Sequence, residues 1–317
     1  MDIRQLRYFI AIAEQGSFSK AASFIHVAQP ALSLHVRNME EDLGTQLLFR
    51  SPRGIVPTEA GEILLRNARI ILDQLAVTEE EVRGHSNEPS GLVRLGLPGT
   101  ISEILSVPLI TAARERYPKI QLCIAEAMSG FVLEWMRNAR IDLAVIYRSV
   151  TENDLATVEL LNEELVCFGP SGDLSDGLPL PKTGSRISFA EIAGLPLIVP
   201  AEAHGLRLLL NQYAQTAAMD MNVAIEVDSY TNIKKLVAEG FGCSVLPLNS
   251  ISSEVASGSL RYWKIEGKPV QRPVHLARST LRPMTNAVTA IHELVQETIR
   301  DFARDGTWQG VSELPRS

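Results

Sequence analysis

The chain has 317 residues, 45% hydrophobic and 21% charged, a globular profile longer than one ordinary domain. Three scattered cysteines argue against a disulfide framework, and the apolar run from Tyr8 to Ala13 is far too short for a membrane span. The net charge is −7, and residues 1–90 hold nine Lys or Arg against twelve Asp or Glu. The usual basic footprint of nucleic-acid binding is missing, so any such role must rest on where individual charges sit.

Ile3, Leu6, Ile10 and Ala13 recur at helical spacing and predict a first amphipathic helix that stops at Gly16. No secretory leader precedes it, so a cytoplasmic location is expected. Ser17 and Ser19 can accept from the free amides of a second helix, where Ala21 and Ala22 permit close approach and Phe24, Ile25 and Val27 supply apolar surface. Pro30 suits the first turn of a third helix with a buried stripe of Leu32, Val36, Met39 and Leu43, ended by Gly44. Gln29, Pro30, Ser33, Leu34 and Arg37 are then left on or near its outer face. Phe49 to Thr58 reads as an extended ribbon, with Phe49 anchored in the core, Pro52 and Gly54 shaping the turn, and Arg50 and Arg53 near the tip.

From Thr58, an apt N-cap, Leu64, Ala68, Ile71, Leu75, Thr78 and Val82 follow the alternating steps of a coiled-coil seam. A helix packed only on its own domain is the competing reading. The polar stretch from Gly84 to Gly91 reads as a hinge. Beyond it the pattern is α/β. Strands are predicted at Leu92–Leu97, Ile120–Ala125 and Ile141–Tyr147, with a Thr100-x-x-Glu103 capping box opening a helix through Arg116 and Ser129 capping Gly130–Asn138. A second set runs through Leu165–Phe168, Leu195–Val199, a helix from Gly205, Val223–Val227, a helix Tyr230–Glu239 and Cys243–Leu246. Alternating units argue for parallel sheets and two similar half-domains. A last helix, Asn286–Arg304, buries Val288, Ile291, Leu294, Val295, Ile299 and Phe302, and the remaining residues read as a tail.

Two short helices, a ribbon with basic residues near its tip and a long helix, in that order, make a winged helix-turn-helix. Residues 17–58 resemble the LysR-type transcriptional regulators of bacteria, through Ala22, Val27, Gln29, Pro30, Ala31, Leu32, Ser33 and Glu40, then Leu48, Phe49, Arg50, Gly54 and Thr58. Asp142-Leu143-Ala144-Val145 and Gly240-x-Gly242-x-x-x-Leu246-Pro247 extend the resemblance, and Gly96–Thr100 with Asp142–Tyr147 looks closest to the nitrogen assimilation control branch. The resemblance implies an α/β protein with an N-terminal all-α winged helix-turn-helix and two Rossmann-like lobes of periplasmic-binding-protein type. Its parts would be a DNA-binding domain at 1–58, a dimerising linker helix at 59–86, a hinge at 87–91, a two-lobed regulatory domain at 92–305 and a tail at 306–317. Lobe I would take 92–161 and 267–305, and lobe II 162–266.

On this reading the N-terminal half of the third helix enters the major groove of double-stranded promoter DNA. Gln29 and Ser33 would meet base edges or phosphate beside Pro30, with Arg37, Arg50 and Arg53 on the backbone. Leu34 stands where the family has a polar or basic residue. It either packs on a thymine methyl or covers the neighbouring helix. Leu64, Ala68, Ile71, Leu75 and Val82 would make a homodimer, and the sensor lobes a homotetramer, with RNA polymerase as a further partner. A small anionic metabolite would be held between the lobes by the helix N-termini at Thr100, Ser102 and Ser129, and by Tyr147, Arg148 and His204.

An effector-independent regulator, or a binding protein or enzyme on the same fold, are the alternatives. Against an enzyme, no nucleotide-binding, nucleophile-elbow or zinc-protease motif occurs, and the six histidines show no metal-ligand spacing. Cys123, Cys167 and Cys243 sit in apolar strand contexts expected to bury inert thiols. Neither cofactor nor metal is expected.

Overall fold

The computed structural model describes residues 1–51, 54–83, 88–127, 129–147, 154–175, 177–182, 184–202, 204–267 and 269–313. Asp2 caps helix α1 (Ile3–Gln15) by accepting from Gln5 N, and Gly16 closes it at φ 61°. Helix α2 (Phe18–Phe24) starts on Ser17, whose hydroxyl accepts from Lys20 N. Helix α3 (Gln29–Leu43) carries Pro30 in its first turn and stops at Gly44, again in the left-handed region. Strands β1 (Leu48–Ser51) and β2 (Gly54–Pro57) pair as an antiparallel wing. Phe9, Ile12, Leu32, Val36, Met39 and Leu48 close one core beneath them.

Three apolar expectations fail in this domain. Leu43 is exposed, because the chain turns away at Gly44 before a fourth inward turn is packed, and Phe24 is exposed at the last residue of α2. Phe49 is exposed because adjacent strand residues face opposite ways, and Leu48 takes the inward position.

Helix α4 (Glu59–Arg83) follows Thr58, whose hydroxyl donates to the Gln46 carbonyl and accepts from Gly61 N. A Cβ on Gly61 would stand 2.0 Å from the Leu47 carbonyl oxygen, so α4 can lie this close to the base of the wing only with glycine there. Next come β3 (Gly91–Leu97), α5 (Gly99–Arg116), β4 (Ile120–Glu126), α6 (Ser129–Arg137) and β5 (Leu143–Ile146), with β3 parallel to both β4 and β5. The 16-residue strand β6 (Leu155–Pro170) leaves this lobe and enters the second. There the order is β7 (Arg186–Ile187), α7 (Phe189–Gly194), β8 (Leu197–Val199), α8 (Gly205–Thr216), β9 (Val223–Glu226), α9 (Tyr230–Ala238), β10 (Ser244–Pro247), a 3₁₀ turn at Leu248–Ile251, α10 (Ser252–Ala256) and β11 (Leu260–Ile265). Strand β12 (Gln271–Ser279) returns to the first lobe, followed by α11 (Asn286–Asp305) and β13 (Val311–Glu313).

Strand β6 organises both lobes. Its first part pairs antiparallel with β12, and its second part with β11 and β10. The sheets are therefore mixed, correcting the purely parallel expectation, although β8 and β9 do pair in parallel. Leu95, Leu97, Leu143, Leu276, Ile291 and Leu294 centre the first lobe, and Val166, Phe168, Ile198, Ile233, Val245 and Trp263 the second. The segment after α11 is no loose tail: Trp308 packs into the first-lobe core, and β13 pairs with β6 at Glu163 and Asn162. Cys167 and Cys243 are buried, but Cys123 is exposed on β4, against expectation. Burial pushes the Cys243 thiol up to about 12. No helix among the described residues is long and apolar enough to cross a membrane.

Candidate functional site

One face of α3 carries the residues expected to meet DNA. Gln29, Pro30 and Arg37 are exposed, and the Gln29 Nε2 amide donates to Ser33 Oγ at 2.8 Å, so the two polar side chains present one joined surface. Arg50 leaves β1 with its guanidinium 4.9 Å from the Phe18 ring centroid, which ties it to the start of α2. Arg53 and Pro52 lie outside the described residues. Glu40 faces the wing instead of the DNA side, and its Oε1 accepts from Leu47 N at 2.8 Å and Leu48 N at 3.3 Å, holding the base of the wing against α3.

Helix α4 divides the expected seam. Ala68 is fully buried in the winged-helix core of its own protomer and Leu64 packs on the same core, so Ala68 is corrected from seam to core. The heptad steps assign the first two turns to the wrong face because α4 already serves the winged domain there. Ile63, Ile71 and Val82 are exposed, and Leu75 is half-buried. Of the expected hinge at Gly84–Gly91, residues 84–87 fall outside the described residues.

The cleft residues converge where β6 and β12 pass between the lobes. Helix α5 starts at Gly99 with Pro98 as its N-cap and no side-chain cap, so the Thr100–Glu103 capping box does not form. Thr100 instead hydrogen-bonds the Tyr147 phenol, and Glu103 reaches Lys234 in the other lobe at 2.9 Å. Ser102 is buried and pairs with Ser106 along its own helix at 2.9 Å. Ser129 is the first residue of α6 rather than the residue before it, and its side chain, like Arg148, lies outside the described residues. His204 is the N-cap of α8: its Nδ1 accepts from Leu206 N at 3.1 Å, and its Nε2 meets the Tyr230 phenol at 3.2 Å.

At the centre is Arg272, which no sequence pattern singles out. It is 3% exposed and directly opposite Glu163 in the β12–β6 register. Its Nε donates to Glu163 Oε1 at 2.7 Å, its Nη2 reaches Thr100 Oγ1 at 3.4 Å, and its Cζ lies 3.4 Å from the ring centroid of Tyr147. Its Nη1, though buried, has no hydrogen-bond partner among the described residues. Burial opposes the charge, and the fields of Tyr147, Glu163 and Tyr230 more than restore it, so the guanidinium stays protonated. Burial pushes the Tyr147 and Tyr230 phenols up, so both remain neutral. His204 is held below its ordinary range by burial first and by Arg272 second.

The lobes touch over this cluster. A Cβ on Gly99 would lie 3.7 Å from the Tyr230 ring, and Lys234 bonds Glu103, Glu254 and the Ser250 carbonyl. Burial works against the Lys234 ammonium, and hydrogen bonds to Glu254 and Glu103 outweigh it, leaving its pKa raised.

Residues 3–62 match the model of bacterial regulatory helix-turn-helix proteins of the lysR family, and residues 86–300 match the LysR substrate binding domain. The nitrogen assimilation regulatory protein nac of Escherichia coli (strain K12) is 31% identical, over 98% of this chain and 100% of that one. Its namesake in Klebsiella aerogenes is 28% identical, over 92% and 94%. Full-length OxyR from Pseudomonas aeruginosa has a similar fold, with TM-score 0.80, 23% identity, and coverage of 100% of this chain and 98% of that one. The chain therefore belongs to the LysR family, as a DNA-binding transcriptional regulator whose helix-turn-helix is joined to a LysR-type substrate-binding domain.

Proposed function

We propose that a small anionic metabolite controls this regulator by binding between the lobes, at Arg272, Thr100, Tyr147 and His204, with Ser102, Ser129 and Arg148 as further ligands. The observation that carries this reading is the buried Arg272 Nη1, without a partner among the described residues, beside an α5 N-terminus that lacks a side-chain cap. Fixed positive charge and free helix amides together favour a carboxylate. Because β6 and β12 join the lobes at this point, an anion that binds one lobe arrangement better shifts the population toward it. The regulator would act as a homodimer through α4 and a homotetramer through its sensor lobes on double-stranded promoter DNA, with RNA polymerase alongside. It would work in the cytoplasm, without cofactor, metal or enzymatic activity. A LysR-family structure of similar fold, CbnR, is described in complex with its target DNA, which supports the DNA reading.

The experiment is a thermal-shift and footprinting screen of organic acids, amino acids and aromatic acids against the full-length protein. A true effector raises the melting temperature with concentration as linkage requires, and alters the footprint. Thr100→Val should weaken that response while leaving operator affinity near wild type. If no compound moves either readout, the second reading holds, an effector-independent regulator. That reading draws support from the Glu103–Lys234 ion pair, which ties the two lobes together.

A further inference from the structure

The N-terminal half of the recognition helix carries a large apolar side chain that the fold does not use. Leu34 is 55% exposed, so it does not cover the neighbouring helix. At about 100° per residue it projects within about 15° of the direction opposite the buried stripe of Leu32, Val36 and Met39. Pro30 lies one turn before it and Arg37 and Asn38 one turn after, all exposed, while the joined Gln29 and Ser33 pair flanks the row. Leu34 thus stands at the crest of the half-helix that enters the major groove.

A leucine at that crest has nothing to offer a polar base edge. Against an N7, an amino group or a carbonyl it would remove water without replacing the lost hydrogen bond. Thymine alone presents an apolar group to the major groove, its C5 methyl. We propose that Leu34 is a specificity-determining residue that reads one thymine in each half-site through that methyl. The proposal rests on α3 being the DNA-reading helix.

The test selects duplexes from a random library with the full-length protein, then replaces each thymine of the enriched duplex by uracil, which removes only the methyl. Wild-type protein should lose about fourfold in affinity at one thymine per half-site, the worth of about one buried methyl group. Leu34→Ala should lose a similar factor on the thymine duplex and be indifferent to uracil at that position. Its helicity and melting temperature should match wild type, since alanine is the strongest helix former and the site is exposed. The proposal is overturned if no thymine is sensitive, or if the sensitive thymine remains equally sensitive in Leu34→Ala. If no duplex is enriched at all, the assignment of α3 fails and takes the proposal with it, an outcome separate from enriched DNA that ignores the methyl.

Discussion

Arg282 joins the sensor to the linker helix through Asp73. Its Nη2 stands 2.6 Å from Asp73 Oδ2 on α4 and 2.6 Å from Asp142 Oδ1 at the entry to β5. Its Nη1 donates to the Ile141 carbonyl at 2.9 Å. Two further contacts repeat the connection: Glu80 accepts from Asn286 N at 2.9 Å, and Arg69 donates to the Asn138 carbonyl at 3.0 Å. Burial pushes the Asp73 carboxyl up and Arg282 opposes it, so removing the arginine would strand two carboxylates. Arg282→Met should therefore cost about 3–5 kcal/mol in urea unfolding, against far less for Asp73→Asn, which removes one charge and keeps the arginine paired with Asp142. Hydrogen exchange along α4 should quicken in Arg282→Met. Unchanged exchange would show that the other two contacts suffice to hold the helix.

Trp308 should matter more than its place near the C-terminus suggests. It fills the first-lobe core at 2% exposure, and β13 behind it adds to β6 beside Glu163. Trp308→Ala should cost about 3–5 kcal/mol, with loss of lobe stability in thermal unfolding. A variant with wild-type melting temperature would mean that the indole is packed but replaceable.

The contrast between these residues shows what a single sequence conveys. The stripe of Leu32, Val36 and Met39, the stops at Gly16 and Gly44 and the apolar face of α11 are legible, because helical period and caps are local. Leu48 and Phe49 are not separable, since two adjacent apolar residues leave the facing of a strand undecided. Arg272 and Glu163 stand 109 residues apart, and only the meeting of two strands makes them neighbours. Thr100 illustrates a local rule overridden: the capping-box spacing is present, yet Glu103 gains a fuller partner in buried Lys234. Trp308 escapes notice because a lone aromatic in a polar segment has no period to announce it.

The linker helix should dimerise through its outer side. Ile71 is exposed and Leu75 half-buried, whereas Ala68 is enclosed by the winged domain. Ile71→Asp is expected to dissociate the dimer in sedimentation and leave the domain folded, because it places an unpaired charge in an interface. Ala68→Asp should instead unfold the winged domain. If both variants stay dimeric and folded, the sensor lobes hold the dimer.

The second lobe should lose stability in acid through His204. Its Nδ1 must stay unprotonated to accept from Leu206 N, and its folded value lies below the ordinary 6.5 through burial and the nearby Arg272, with Asp228 opposing. The unfolded chain then binds the additional proton, so this stabilisation is complete above about pH 6.5 and is lost as pH falls through the folded value. His204→Asn keeps a good N-cap that does not titrate. Its melting temperature should fall less steeply than wild type between pH 7 and 5, while His275 and His292, also lowered by burial, contribute equally to both. Parallel curves would exclude His204 as the source.

On DNA, Gln29 and Ser33 should separate from Arg50. The first two lie joined on the outer face of α3, and Arg50 rests over Phe18 one pair from the tip of the wing. Gln29→Ala and Ser33→Ala should each reduce the preference for operator over random DNA, by about 1–3 kcal/mol where a base contact is lost. Because each side chain positions the other, the double variant should lose less than the sum of the singles. Arg50→Ala should weaken operator and random DNA alike and lower the salt slope by about 0.9, the value for one phosphate contact. Additive losses at Gln29 and Ser33 would mean that their hydrogen bond breaks on DNA and each reads its target alone. A preference untouched by both substitutions would turn the reading face of α3 away from the bases.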